Sequence, residues 1–213
     1  MGINILTSGF TQGFPYEFGK ELQTYVLKKE SFVFLASEFN AFHDKTDNYC
    51  KQIIKMFADY DIHFDNTQVI DSRVEAETAR HLIQAADVLW LSGGDTIAQY
   101  NYIKSYGLIP FIKKRDGITI GMSAGSINMT ETAICSITCE HDKLEIYEAL
   151  GMVKINIEPH FDDSNITDEI LGLSKEYTIY GMCDDSVIIF DENKVSYLGD
   201  VYKIVNENVE HMT

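Results

Sequence analysis

Short, unbroken apolar runs separated by stretches of helical period set the tightest limit on what this chain can fold into. Phe32-Val33-Phe34-Leu35-Ala36 and Val88-Leu89-Trp90-Leu91 are continuous apolar segments of strand length, which suits strands covered on both faces. Between them the pattern changes to amphipathic helix. Over Glu17 to Lys29 the stripe is Phe18, Leu22, Tyr25 and Val26; over Tyr49 to Tyr60 it is Tyr49, Ile53, Met56, Phe57 and Tyr60. Helices are also expected over Glu75 to Ala86, over Ile97 to Lys104 behind an Asp95 N-cap, after Pro110, and over Thr167 to Ser174. Further strands are expected at Ile3 to Thr7, Val69-Ile70, Ile118 to Ile120 and Ile155 to Ile157. Strands alternating with helices imply β-α-β units, hence an α/β fold with a mostly parallel sheet between two helical layers.

The last fifth of the chain changes character. Thr178 to Met182, Val187 to Phe190, Val195 to Leu198 and Val201 to Val205 read as close-spaced strands, with hairpin turns at Asp191-Glu192-Asn193 and Gly199-Asp200. They add an antiparallel portion to the sheet. There are three prolines and no linker, repeat or low-complexity tract, so one domain over residues 1–213 is expected.

Charge narrows the partners. Seventeen Lys+Arg against 33 Asp+Glu give a net −16, and the arginines are only Arg73, Arg80 and Arg115. A surface that binds nucleic acid or an anionic membrane needs a basic stripe, which this chain cannot supply. No apolar run approaches the ~20 residues of a membrane span. Met1-Gly2-Ile3-Asn4 lacks the basic region and apolar stretch of a signal peptide. Cys50, Cys135, Cys139 and Cys183 form no C-x-x-C pair and no zinc-type spacing. Four reduced thiols in a cytoplasmic protein without a metal, present as monomer or homodimer, is the expectation.

The chemistry concentrates where the strand Ile118 to Ile120 ends, in Gly121-Met122-Ser123-Ala124-Gly125-Ser126. This is G-x-S-x-G, the nucleophile elbow, in which a strained strand-to-helix turn lifts a serine above the sheet. The glycines two before and two after approach the neighbouring strands, where a side chain would not fit. A serine needs a base. His43, His63 and His81 precede the elbow, His81 on a solvated helix. His141 lies in the charged run Cys139-Glu140-His141-Asp142-Lys143 and reads as surface, and His211 lies three residues from the end, where fraying is expected. His160, in Glu158-Pro159-His160-Phe161, follows a strand at its carboxyl end, where open α/β sheets place ligands. Asp184 and Asp185, between two strands, compete for the role of orienting the imidazole. Gly93-Gly94 ends a buried strand and lets the backbone approach a substrate, so that the N–H groups of Gly94 and Ala124 would form an oxyanion hole.

Ser92-Gly93-Gly94-Asp95-Thr96, Gly121-Met122-Ser123-Ala124-Gly125-Ser126, Glu158-Pro159-His160-Phe161 and Asp184-Asp185-Ser186, in that order, resemble the dipeptidase E (aspartyl dipeptidase) family, of which cyanophycinase is a related branch. The Ser8-Gly9-Phe10 opening also fits. The resemblance implies an α/β/α sandwich of the class I glutamine-amidotransferase type and a serine peptidase mechanism. In it Ser123 is the nucleophile, His160 the general base and acid, and Asp184 the acidic member. It further implies a short peptide as substrate and no cofactor. The family usually has Glu at the acidic position, so Asp184 shortens the reach by one methylene. Aspartyl-specific members resemble one another in an arginine after P-H-F; here Asp162 to Tyr180 holds only Lys175 as a basic residue, which argues against strict aspartyl specificity. Two other readings use the same residues. An α/β-hydrolase esterase would take the order Ser, Asp, His and need His211; a binding protein on the same fold would leave Ser123 inert.

Overall fold

The computed structural model describes residues 2–192 and 194–212. The first half of the chain runs β1 (Asn4–Thr7), α1 (Tyr16–Tyr25), β2 (Ser31–Leu35), α2 (His43–Ala58), β3 (Asn66–Ile70), α3 (Ala76–Ala85), β4 (Val88–Leu91), α4 (Thr96–Ser105) and α5 (Ile109–Lys114). Then come β5 (Ile118–Met122), α6 (Ala124–Met129), β6 (Thr132–Cys135), β7 (Glu145–Glu148), β8 (Asn156–Pro159) and α7 (Asp168–Leu173). The chain closes with β9 (Ile179–Met182), β10 (Val187–Asp191), β11 (Lys194–Leu198), β12 (Val201–Val205) and β13 (Asn208–Met212).

A seven-stranded sheet in the order β11-β10-β1-β5-β4-β2-β3 forms the middle layer. Its five central and far strands are parallel, and β10 and β11 continue it antiparallel beyond β1. Strand β4 explains the unbroken apolar runs, since all four of its residues are buried. Val88 and Trp90 face a cluster with Phe18 and Leu22 of α1 and Ile53 and Phe57 of α2; Leu89 and Leu91 face Ile83 of α3, Ile103 of α4 and Ile127 of α6. Alternate residues thus serve opposite helical layers, giving the α/β/α sandwich.

A second sheet has the order β13-β12-β9-β8, and β6 pairs with β7 in a separate hairpin. Here the structure departs most from the sequence expectations. Gly199-Asp200 is not a hairpin turn: β11 pairs with β10, whereas β12 pairs with β9 and β13. Gly199, at φ 71° and against the backbone of Asp185 and Ser186, lets the chain leave one sheet for the other. The turn at Asp191-Glu192-Asn193 does join an antiparallel pair, with Asp191 opposite Lys194; Asn193 itself lies outside the described residues. His211 is not in a frayed tail but in β13, paired across to Tyr202. Helix α2 starts six residues ahead of the expected Tyr49, because its first turns are polar and carry no apolar stripe. Helix α1 ends at Tyr25, four residues short of Lys29, as Val26 turns out of the helix with ψ 73°.

The functional consequence is geometric. The carboxyl ends of β1, β2, β4 and β5 lie side by side, so the loops beginning at Ser8, Ala36, Ser92 and Ser123 open onto one edge of the sheet. Open α/β sheets bind ligands at that edge.

Candidate active site

Ser123 sits between β5 and α6 at φ 48°, ψ −109°, a conformation costly for a residue with a Cβ. Its surroundings hold it there. A Cβ on Gly121 would fall 2.6 Å from the Ser126 nitrogen, and one on Gly125 would run into the Leu91 carbonyl, so both glycines of the elbow are required by close approach. Ser126 is fully buried; its hydroxyl donates to the Thr7 carbonyl at 2.8 Å and accepts from the Thr7 N–H at 2.9 Å. Ser123 N–H donates to the same Thr7 carbonyl at 2.9 Å. The turn is thereby fastened to the end of β1.

His160 follows β8 at φ 55°. Its Nε2 lies 3.0 Å from Ser123 Oγ and its Nδ1 2.7 Å from Asp184 Oδ1. A carboxylate only accepts, so Nδ1 carries the proton and Nε2 is free to accept from the serine hydroxyl. Asp184 Oδ1 also accepts from Gly9 N–H at 3.2 Å and from the Ser8 hydroxyl at 3.3 Å, and Ser8 Oγ accepts the His160 N–H at 2.8 Å. Asp185 points elsewhere: it accepts from Thr11 N–H at 2.9 Å and Thr11 Oγ1–H at 2.6 Å, bracing the loop after β1. Of the two aspartates, the structure brings Asp184 to the imidazole. Gly9 has no room for a side chain, since a Cβ there would lie 2.8 Å from Asp184 Oδ1 and 2.9 Å from His160 Cε1.

Gly94 has φ 126°, and a Cβ on it would strike Ser37 Oγ. The Ser37 hydroxyl donates to the Gly93 carbonyl at 2.6 Å. Because the Gly93–Gly94 peptide is planar and trans, fixing that carbonyl fixes the Gly94 N–H in the opposite direction. Ala124 opens α6, so its N–H is among the unpaired donors of a helix start. His211, the histidine an esterase ordering would require, bonds Asp200 at 3.1 Å instead.

The family model for peptidase family S51 matches residues 5–198. The chain belongs to peptidase family S51. It is therefore a serine-type peptidase, a hydrolase acting on peptides. The fold agrees with two solved structures. A peptidase from an acI-B1 actinobacterium superposes with a TM-score of 0.75 at 16% identity, over 100% of this chain and 94% of that one. A candidate peptidase E from Listeria monocytogenes EGD-e superposes with a TM-score of 0.68 at 17% identity, over 93% of this chain and 98% of that one.

In this S51 peptidase two cavities meet at Ser123 and His160. One, of about 730 Å³, is walled by Asp95, Thr96 and the segment from Thr138 to Lys143. The other, of about 290 Å³, is walled by Phe34, Phe42, Tyr49, Ile53 and Met122. His141, expected at the surface, is half-buried in the wall of the larger cavity. Its Nδ1 donates to the Ser136 carbonyl at 3.1 Å, leaving Nε2 to accept from the buried Thr96 hydroxyl at 3.1 Å. It ties the β6–β7 connection to the start of α4. Beneath that connection Glu158 is buried, with burial pushing its carboxyl up to about 8; its partner is the Ser136 hydroxyl at 2.6 Å. The charged run hides His141, because such a run reads as solvated unless the strands flanking it are foreseen.

None of the three arginines lines either cavity. Arg73 is committed to Asp47 and Asp71, Arg80 to the Tyr106 carbonyl, and buried Arg115 to the carbonyls of Ile83, Ala86 and Ile118. No helix among the described residues is long and apolar enough to cross a membrane.

Proposed function

We propose that this S51 peptidase hydrolyses short peptides through Ser123, His160 and Asp184 and an acyl-enzyme. The observation that carries the reading is the hydrogen-bonded line from Asp184 through His160 to Ser123, with spacings of 2.7 and 3.0 Å, ending on a strained elbow. Ser123 attacks the scissile carbonyl as its proton passes to His160 Nε2. Asp184 keeps Nδ1 protonated and stabilises the imidazolium. The carbonyl oxygen, now negative, lies between the N–H groups of Gly94 and Ala124. His160 then protonates the leaving amine, and water, activated by the same imidazole, releases the acyl group. Apart from that water, the steps draw on groups of the chain and its substrate alone.

Strict aspartyl specificity is not part of the proposal, since no arginine reaches either cavity to clamp a side-chain carboxylate in bidentate fashion. The four free cysteines fit work in the cytoplasm. A fluorophosphonate should label the protein stoichiometrically at Ser123, and a dipeptide library should reveal turnover that ends with Ser123→Ala. No labelling, or turnover that survives Ser123→Ala, defeats the assignment. Hydrolysis of Asp-X peptides far above all others defeats the specificity half.

A further inference from the structure

The two cavities that meet at Ser123 carry opposite charge logic. In the larger one the carboxylates of Asp95, Glu140, Asp142 and Glu145 line the wall, and its lysine, Lys143, is already paired with Glu145 at 3.0 Å. The smaller one is mostly apolar, built by Phe34, Phe42, Tyr49, Ile53 and Met122. Its volume of about 290 Å³ lies just under the ~300 Å³ at which small-molecule sites begin. That is room for one large side chain and not for an extended peptide.

Phe42 and Tyr49 stay 64% and 49% exposed although they could have been polar at no cost to the core. Lys45, in the first turn of α2, lies between Phe42, which caps the helix, and Tyr49, its Nζ 5.9 Å from the Phe42 ring centre and 5.6 Å from that of Tyr49. Among the described residues Lys45 makes no ion pair, and Glu38, the pocket's carboxylate, is not bonded to it. The wall is also fixed in place. Arg73 joins Asp47, in the second turn of α2, to fully buried Asp71 at the end of β3, with spacings of 2.6 and 2.7 Å.

A zwitterionic dipeptide matches this polarity. Resting on the Ser123 assignment above, we propose that the enzyme takes a dipeptide lengthwise across Ser123. Its C-terminal side chain, aromatic or branched aliphatic, fills the Phe34–Phe42–Tyr49 pocket; its free carboxylate meets Lys45, and its ammonium group lies in the acidic cavity. The leaving product is then an apolar amino acid.

The test separates binding from turnover. Calorimetry on the Ser123→Ala protein should find Ala-Phe binding about 10–100-fold tighter than its C-terminal amide, the range of a hydrogen-bonded charge. Lys45→Met should erase that ratio, and Phe42→Ala with Tyr49→Ala should reduce the preference for Ala-Phe over Ala-Gly several-fold. Equal binding of acid and amide, an acid/amide ratio untouched by Lys45→Met, or tighter binding of Ala-Asp amide than of Ala-Phe overturns the proposal. If the binding pattern holds but wild-type protein neither hydrolyses Ala-Phe nor reacts with fluorophosphonate, the Ser123 mechanism fails and the binding mode stands. Labelling and turnover of other peptides without this binding pattern give the converse.

Discussion

Ser123 is held from below by buried groups, whereas His160 and Asp184 reach it from the surface. The elbow rests on Gly121, Gly125 and Ser126, all buried, and is fastened to β1 through Thr7. The His160 and Asp184 side chains are 45% and 47% exposed, and their fixed partners, Ser8 and Gly9, belong to the loop that follows β1. β1 is thus the common support: its last residue holds the nucleophile's turn and the next two hold the base. The contrast teaches that the nucleophile's position is a property of the core, while the base's position depends on a few loop hydrogen bonds. Substitutions among the buried groups under the elbow should therefore act on stability, and those at the exposed side chains of the base's side on rate.

Removal of the reacting groups gives the largest expected effect. Ser123→Ala should lower kcat by ~10⁴–10⁶-fold with the melting temperature nearly unchanged, since the hydroxyl supports no other element. His160→Ala should cost about as much, because the two groups act as a unit. Steady-state kinetics on one dipeptide, beside thermal unfolding, would measure both. A variant that keeps a tenth of the activity removes its residue from the mechanism.

Next comes the choice between adjacent aspartates. Asp184→Asn should reduce kcat by ~10³–10⁴-fold, since an amide no longer enforces the Nδ1–H tautomer. Asp185→Asn loses only part of the brace on Thr11 and should cost less than about tenfold. The reverse ranking would exchange their roles.

The glycines then test the contrast directly. Gly125→Ala pushes a methyl into the Leu91 carbonyl at the centre of the sheet, and should destabilise by about 3 kcal/mol, at the upper end for overpacking. Gly9→Ala places its methyl against Asp184 Oδ1 and the imidazole on the half-buried loop after β1. It should lower kcat by about 10²-fold, as misplacement of reacting groups does, while denaturant midpoints move little. If Gly9→Ala unfolds the protein and Gly125→Ala does not, the division between core-held nucleophile and loop-held base is wrong.

The same division governs how much of the molecule is legible in its sequence. Ser123 and the glycines around it are legible because a core-held turn leaves a local signature: a buried strand, fixed spacing and small residues. The apolar runs of β2, β4 and β5 are legible for the same reason. His160 stands out through its place after a strand, but Asp184 cannot be told from Asp185 by sequence because neighbouring residues on a turn point different ways. β7 and β13 are largely exposed and carry no unbroken apolar run, and buried β6 offers only Ala133-Ile134-Cys135, too short to tell from a helical turn, so the hairpin that brings His141 and covers Glu158 leaves no mark in the pattern. The chain's passage to the second sheet at Gly199 is equally silent, because strand pairing across sheets is a tertiary choice that a turn-like dipeptide does not encode.

Glu158 gives the smallest effect on the reaction and the most specific one on the fold. It lies in the base's strand β8, buried between Ile157 and Pro159 and two positions ahead of exposed His160. Burial raises its carboxyl from an ordinary 4.5 to about 8, the Ser136 hydroxyl opposing the shift only in part. Between those values the native state holds a proton that the unfolded chain has released. Stability from this group is complete below pH 4.5, declines through the window and is lost above pH 8. At 1.36 kcal/mol per unit, the decline is on the order of 5 kcal/mol. Glu158→Gln keeps an acceptor for Ser136 but cannot ionise, so its denaturation free energy should stay level where the wild type falls, and exceed it at about pH 8.5. Two parallel curves would mean that water reaches the carboxylate, and that the base's side of the site has no buried anchor.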